Sequence, residues 1–182
     1  GRPPIGGRVF QINHRFHRDH PGRSKQGKNK EQKKWWILCD VIGNDLYLAI
    51  YDQGVGIPKT VVDKNWFWAS LKHTYPQEYS QIAKDVPDLE RAGLTVFIPK
   101  RLTDAQLISM SMIGDVTGTK KSKHGQGSKS IKALVNETKN GKLWVYSNKG
   151  LYSFIDEDKQ TELYKLPAKF PGTLIQWNIK LS

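Results

Sequence analysis

The chain has 182 residues, 37% of them apolar and 25% charged, which suits one soluble domain with its own core. No stretch reaches the roughly 18–20 apolar residues of a membrane span, and no signal-peptide pattern opens the chain. The single cysteine, Cys39, excludes an internal disulfide and a cysteine-based zinc site. The formal charge of +12 is lopsided: residues 1–35 hold 10 Lys/Arg against 2 Asp/Glu, and residues 36–182 hold 19 against 15. The basicity is therefore mostly N-terminal, with its densest run GRSKQGKNKEQKK at 22–34, and residues 1–32 read as a separate basic segment. Such a polar, glycine-containing run reads as a solvated linker before it reads as a polyanion contact. A cytoplasmic setting is expected, and a first residue of Gly rather than Met points to a processed, incomplete or tagged N-terminus.

From Lys33 onward the pattern becomes ordered. WWILCDVI (35–42) and LYLAIYD (46–52), separated by Gly-Asn-Asp, predict a β-hairpin. Leu46, Leu48 and Ile50 alternate with Tyr47, Ala49 and Tyr51, as on a sheet with one well-buried face. Residues 60–92 are aromatic-rich but broken by Pro76 and Pro87, which predicts short helices with irregular connections. Thr103 and Asp104 start a helix over DAQLISMSMIG (104–114), with Leu107, Ile108 and Met112 on one face. A flexible stretch at 114–130 then leads to a second helix over 130–141, capped by Ser128 or Ser130 and ended by Gly141. The remainder predicts three strands, KLWVYSNKG, LYSFIDED and TLIQWNIKL, the last preceded by a loop around PAKFPG. This order predicts an α+β chain, with helices on one face of a mixed, largely antiparallel sheet.

Three glycine-bearing stretches punctuate these elements: DQGVG (52–56), HGQGSKS (124–130) and PGT (171–173). An aspartate at the end of an apolar strand needs a partner. Glycines at a strand-to-helix junction let backbone N–H groups face a phosphate. Two common nucleotide motifs are excluded: Ser128 separates Gly127 from Lys129, so there is no P-loop, and no GxGxxG follows a strand.

Taken in order, these stretches resemble the boxes of the GHKL superfamily of ATP-binding domains, which includes gyrase-type, histidine-kinase-type and chaperone ATPases. DQGVGIP is similar to the second box: Asp52 matches the aspartate that holds the adenine amino group, and Gly54 and Gly56 match the glycines beneath the base. HGQGSKSIKAL resembles the lid and third box, with Gly125, Gly127, Ser128 and Lys129 on the phosphates. PGTLIQWNI resembles the closing box, with Thr173 helping Asp52 hold adenine. The resemblance covers residues 33–182 and implies a two-layer Bergerat-type fold with a lid at about 114–130. It implies ATP and Mg²⁺ as ligands.

The family's first box is a helix carrying a glutamate that activates water and, four residues on, an asparagine that holds Mg²⁺. The matching stretch here is VFQINHRFH (9–17), where Asn13 takes the metal-ligand position and His17 follows four residues later. Val9 stands where the glutamate should be, so the expectation is nucleotide binding with slow or absent hydrolysis. Within that resemblance, the chain looks like small bacterial ATP-binding proteins similar to the anti-sigma-factor kinases. That implies a protein partner, STAS-like in such systems, and leaves serine/threonine kinase activity as an alternative. A second alternative is a nucleic-acid-binding module using the basic N-terminus and Trp35, Trp36, Trp66 and Trp68. A third is an adaptor that holds nucleotide only as a structural ligand.

Overall fold

The computed structural model describes residues 34–85, 101–113, 126–156 and 159–181, with the backbone alone for 8–13 and 126–130. The strands are β1 (Arg8–Asn13), β2 (Lys34–Ile42), β3 (Asp45–Asp52), β4 (Lys142–Ile155) and β5 (Gln160–Lys180). The helices are α1 (Ile57–Val61), α2 (Phe67–Thr74), α3 (Pro76–Asp85), α4 (Asp104–Ile113) and α5 (Gln126–Asn136). The strands form one sheet in the order β1-β2-β3-β5-β4. Every pairing among the described strands is antiparallel, where a mixed sheet was expected.

Side chains alternate across a sheet, so residues in register on neighbouring strands share a face. Leu48 lies opposite Trp177, and Trp177 opposite Leu143; Ile50, Ile175 and Val145 form the next such row. These rows pack against Ile108, Met112 and Val135 of the helices, which places the helical layer on that face. Helix α4 sits between this cluster and a second one. Its Leu107 and Met110 join Val61, Phe67, Leu71 and Ile82 of α1, α2 and α3. A helix apolar on more than one side must be buried on more than one side, and α4 buries Ala105, Leu107, Ile108, Ser109, Met110 and Met112. The stripe expected there, Leu107, Ile108 and Met112, is part of this wider surface.

The start of α4 is a reciprocal cap. Thr103 Oγ1 accepts the N–H of Gln106 at 3.2 Å, and Gln106 Oε1 accepts the N–H of Thr103 at 2.8 Å. Two otherwise orphaned donors are satisfied at once. Thr103→Ala removes half of this box and is expected to cost about 1 kcal/mol, read as a lower urea midpoint at an unchanged m-value.

Four expectations are corrected. Residues 8–13, assigned to the start of a first-box helix, form an edge strand along β2. The β-formers Val9, Phe10 and Ile12 favour that pairing, and Gly and Pro upstream give a helix no support. Helix α5 begins at Gln126 and ends at Asn136, so Ser128 and Ser130 lie inside it, and Gly141 follows a further turn. KLWVYSNKG and the LYSFI that follows form one strand, Lys142–Ile155, because Asn148 absorbs the irregularity with φ +51°. Asp104 Oδ2 accepts the N–H of Lys149 at 2.8 Å, where the ladder is interrupted.

The fourth correction is PAKFPG, which belongs to β5 rather than to a loop. Pro lacks the N–H that a ladder needs, so strands tolerate it at bulges. Asn148 pairs with Phe170 while its neighbours Ser147 and Gly150 pair with Thr173 and Lys165. Residues 166–169 and 171–172 are thereby left out of register, and Pro167 and Pro171 fall in those two insertions.

Candidate functional site

One row of the sheet breaks the apolar pattern of the helix-facing side. Trp35, Asp52, Thr173 and Ser147 lie in register across β2, β3, β5 and β4. The neighbouring row is Ile37, Ile50, Ile175 and Val145. The apolar core thus ends in a polar edge that α1 covers only in part.

Directly after Asp52 the chain turns back on it. Asp52 Oδ1 accepts the N–H of Gly54 at 2.6 Å, an aspartate-initiated turn. A Cβ on Gly54 would stand 2.7 Å from that same oxygen, so a side chain there would displace the carboxylate. Gly56 has φ +90° and precedes α1, and Pro58 occupies the first helical turn, where its missing N–H costs nothing. A Cβ on Gly56 would meet Ser147 Oγ at 2.8 Å and Asn148 Nδ2 at 2.9 Å. The two glycines therefore serve the site's own packing, each making room for a polar group of the row.

Ser147 is fully buried and ties three elements together. Its Oγ accepts the N–H of Ile57 at 3.0 Å, donates to the carbonyl of Gly172 at 3.0 Å, and lies 3.3 Å from Thr173 Oγ1. Among the described residues, Asp52 Oδ2 has no hydrogen-bond partner.

A cleft of about 900 Å³ opens over this edge, lined by Asp52, Gly54, Thr60 and Thr173, with Trp35 and Lys34 on its β2 side. Trp35 is 43% exposed and forms an apolar, planar wall. The cleft therefore offers a carboxylate and a hydroxyl at its floor, a flat aromatic surface at its side and an ammonium on its β2 side. That set suits a planar ligand with an amino donor and an anionic tail.

Asp52, Gly54, Gly56 and Thr173 all line this one cleft. Gly127, Ser128 and Lys129 stand in the first turn of α5, where only the backbone is described. Gly125, His17 and most of the lid at 114–130 lie outside the described residues. Asn13 ends β1 opposite Lys34, so the expected helical face shared with His17 is not formed on its side. The described lining does not fit a Mg²⁺ site: Asp52 is its one carboxylate and already bonds Gly54, while Mg²⁺ asks for a near-octahedral oxygen set. No group of three or more His, Cys, Asp or Glu that could hold a metal is present among the described residues.

The four tryptophans of the nucleic-acid alternative do not form one surface. Trp66 and Trp68 pack against the helical cluster, and Trp35 faces the cleft. Trp36 stacks on Tyr51 on the opposite side of the sheet, with ring centroids 5.3 Å apart. Ser147 escaped the sequence reading, and Trp35 entered it only through the nucleic-acid alternative. Ser147 left a signal: in the series Leu143, Val145, Ser147 it is the polar residue at a core-facing position, and such a residue needs partners. Nothing local ties Trp35 to this cleft, since an aromatic in an apolar run reads as core.

Compared with known proteins, the chain matches no family model, no curated protein and no solved structure. No helix among the described residues is long and apolar enough to cross a membrane.

Proposed function

We propose that the chain binds an adenine nucleotide in the cleft above the Asp52 row, as a GHKL-type ATP-binding domain whose two layers are the Bergerat arrangement. The observation that supports this most is the pairing of Asp52 with Thr173 on adjacent strands, at the foot of a glycine turn. Both oxygens can accept hydrogen bonds, which matches the exocyclic amine of adenine, and Trp35 gives the base a flat apolar surface. Lys34 on the β2 side of the cleft suits the charge of a phosphate tail.

The same lining argues for slow turnover. Among the described lining residues Asp52 is the one carboxylate, and in this reading it holds the base rather than activating water; a missing general base lowers the rate by roughly 10²–10⁴-fold. The chain then acts as a nucleotide-dependent switch, with ATP hydrolysis a slow side event.

The test is a thermal shift with ADP beside a phosphate-release assay with ATP and Mg²⁺. ADP at about 100 times its Kd is expected to stabilise the fold by about 2.7 kcal/mol, or roughly 5–10 °C for a chain of this size. A melting temperature indifferent to ADP and ATP would remove the proposal, and rapid phosphate release would remove its second half.

A further inference from the structure

We propose that Ser147 is a positioning residue that fixes the polarity of the Thr173 hydroxyl and so sets which purine the cleft accepts. The inference rests on the adenine-nucleotide reading of the cleft. A serine hydroxyl has one proton and two lone pairs. The carbonyl of Gly172 can only accept, so the Ser147 proton is committed there, at 3.0 Å. The N–H of Ile57 can only donate, so one Ser147 lone pair is committed to it, also at 3.0 Å. One lone pair remains for the neighbour 3.3 Å away, which makes Thr173 the donor in that contact.

Thr173 has a single hydroxyl proton, and this contact uses it. Toward the cleft the hydroxyl is left with acceptor capacity alone, beside Asp52, which is in register with it on β3. The floor therefore presents acceptors on both strands. A 6-amino purine meets it with donors, whereas a 6-oxo purine brings an acceptor against acceptors and leaves a buried polar group unpaired. Burial protects the arrangement: Ser147 is 0% exposed and Thr173 6%, so water has little access to re-orient either hydroxyl. Losing the Ser147 acceptor frees the Thr173 proton to turn toward the ligand.

The probes are ADP and inosine diphosphate, which differ at the 6-position of the purine, titrated calorimetrically into the wild-type chain and its variants. The wild type is expected to prefer ADP by at least about tenfold, the scale of one mismatched hydrogen bond. Ser147→Ala and the near-isosteric Ser147→Cys are each expected to narrow that preference by about tenfold, as is Thr173→Val. Since Ser147 acts through Thr173, adding Ser147→Ala to Thr173→Val should change the preference by less than about twofold.

A purely structural serine would weaken both nucleotides together and leave their ratio intact, which would overturn the inference. Equal affinities for the two nucleotides in the wild type would overturn it as well. If the wild type bound neither, the adenine-nucleotide reading would fall and this inference with it. Binding with a ratio indifferent to the Ser147 variants would remove only the role of Ser147.

Discussion

Asp52→Asn is expected to weaken ADP binding about 10- to 100-fold, the effect of exchanging a charge-assisted hydrogen bond for a neutral one in a shielded site. The substitution is close to isosteric, and its amide oxygen can still accept the N–H of Gly54 that Oδ1 now accepts at 2.6 Å. The turn after β3 is therefore kept, and the melting temperature of the free chain should stay within about 2 °C, equivalent to under about 1 kcal/mol. What changes is the second oxygen: an amide placed there turns an acceptor into a donor facing the amino group of the ligand. Calorimetric titration beside a thermal melt separates the two effects. An unchanged affinity would mean that any nucleotide bound elsewhere, and a large loss of stability would mean that Asp52 serves the fold.

Gly172→Ala should damage fold and site together. Gly172 has φ +78°, in the region that L-residues avoid, at a cost of about 1–2 kcal/mol. Its missing Cβ also matters sterically, because an added one would run into the backbone carbonyl of Asp52 and stand 2.9 Å from Gln53 Cα. Backbone cannot rotate aside as a long side chain can, so forced displacement adds about 1–3 kcal/mol. A total near 3 kcal/mol lowers the melting temperature by roughly 6–12 °C. The shift would move Asp52 away from Thr173, so ADP affinity should fall as well. Gly43→Ala is the control: φ there is +63°, but nothing lies within 4 Å of the added Cβ. It should cost about 1 kcal/mol and leave binding unchanged. Equal effects at the two glycines would show that torsional strain alone matters at 172 and that close packing against Asp52 does not.

The sheet's centre was legible because its signal is local. Leu46, Leu48 and Ile50 alternate over five residues, and Gly43-Asn44 supplies the turn that fixes the register of β2 on β3. The same holds for α4, whose start is written in Thr103 and Asp104. PAKFPG misled because two prolines argue for a loop whenever the partner strand is unknown. Only the pairing with β4 shows that both prolines fall where β5 is out of register. The N-terminal stretch misled for the opposite reason: a spacing of four was read as a helical face, while the exposed edge of β2 offered its backbone a ladder.

By itself the sequence determined the α+β class, the strands around Asp52 and the glycines that must follow it, since alternation, turn chemistry and backbone freedom are properties of neighbouring residues. The tertiary structure decided the rest of the site. Trp35, Asp52, Thr173 and Ser147 are separated by as many as 138 positions in the chain, and cross-strand register alone sets them in one row. The meaning of Ser147 could be fixed only there, because the direction of a hydroxyl's proton depends on which donors and acceptors surround it, and those come from α1 and β5, both distant in the chain.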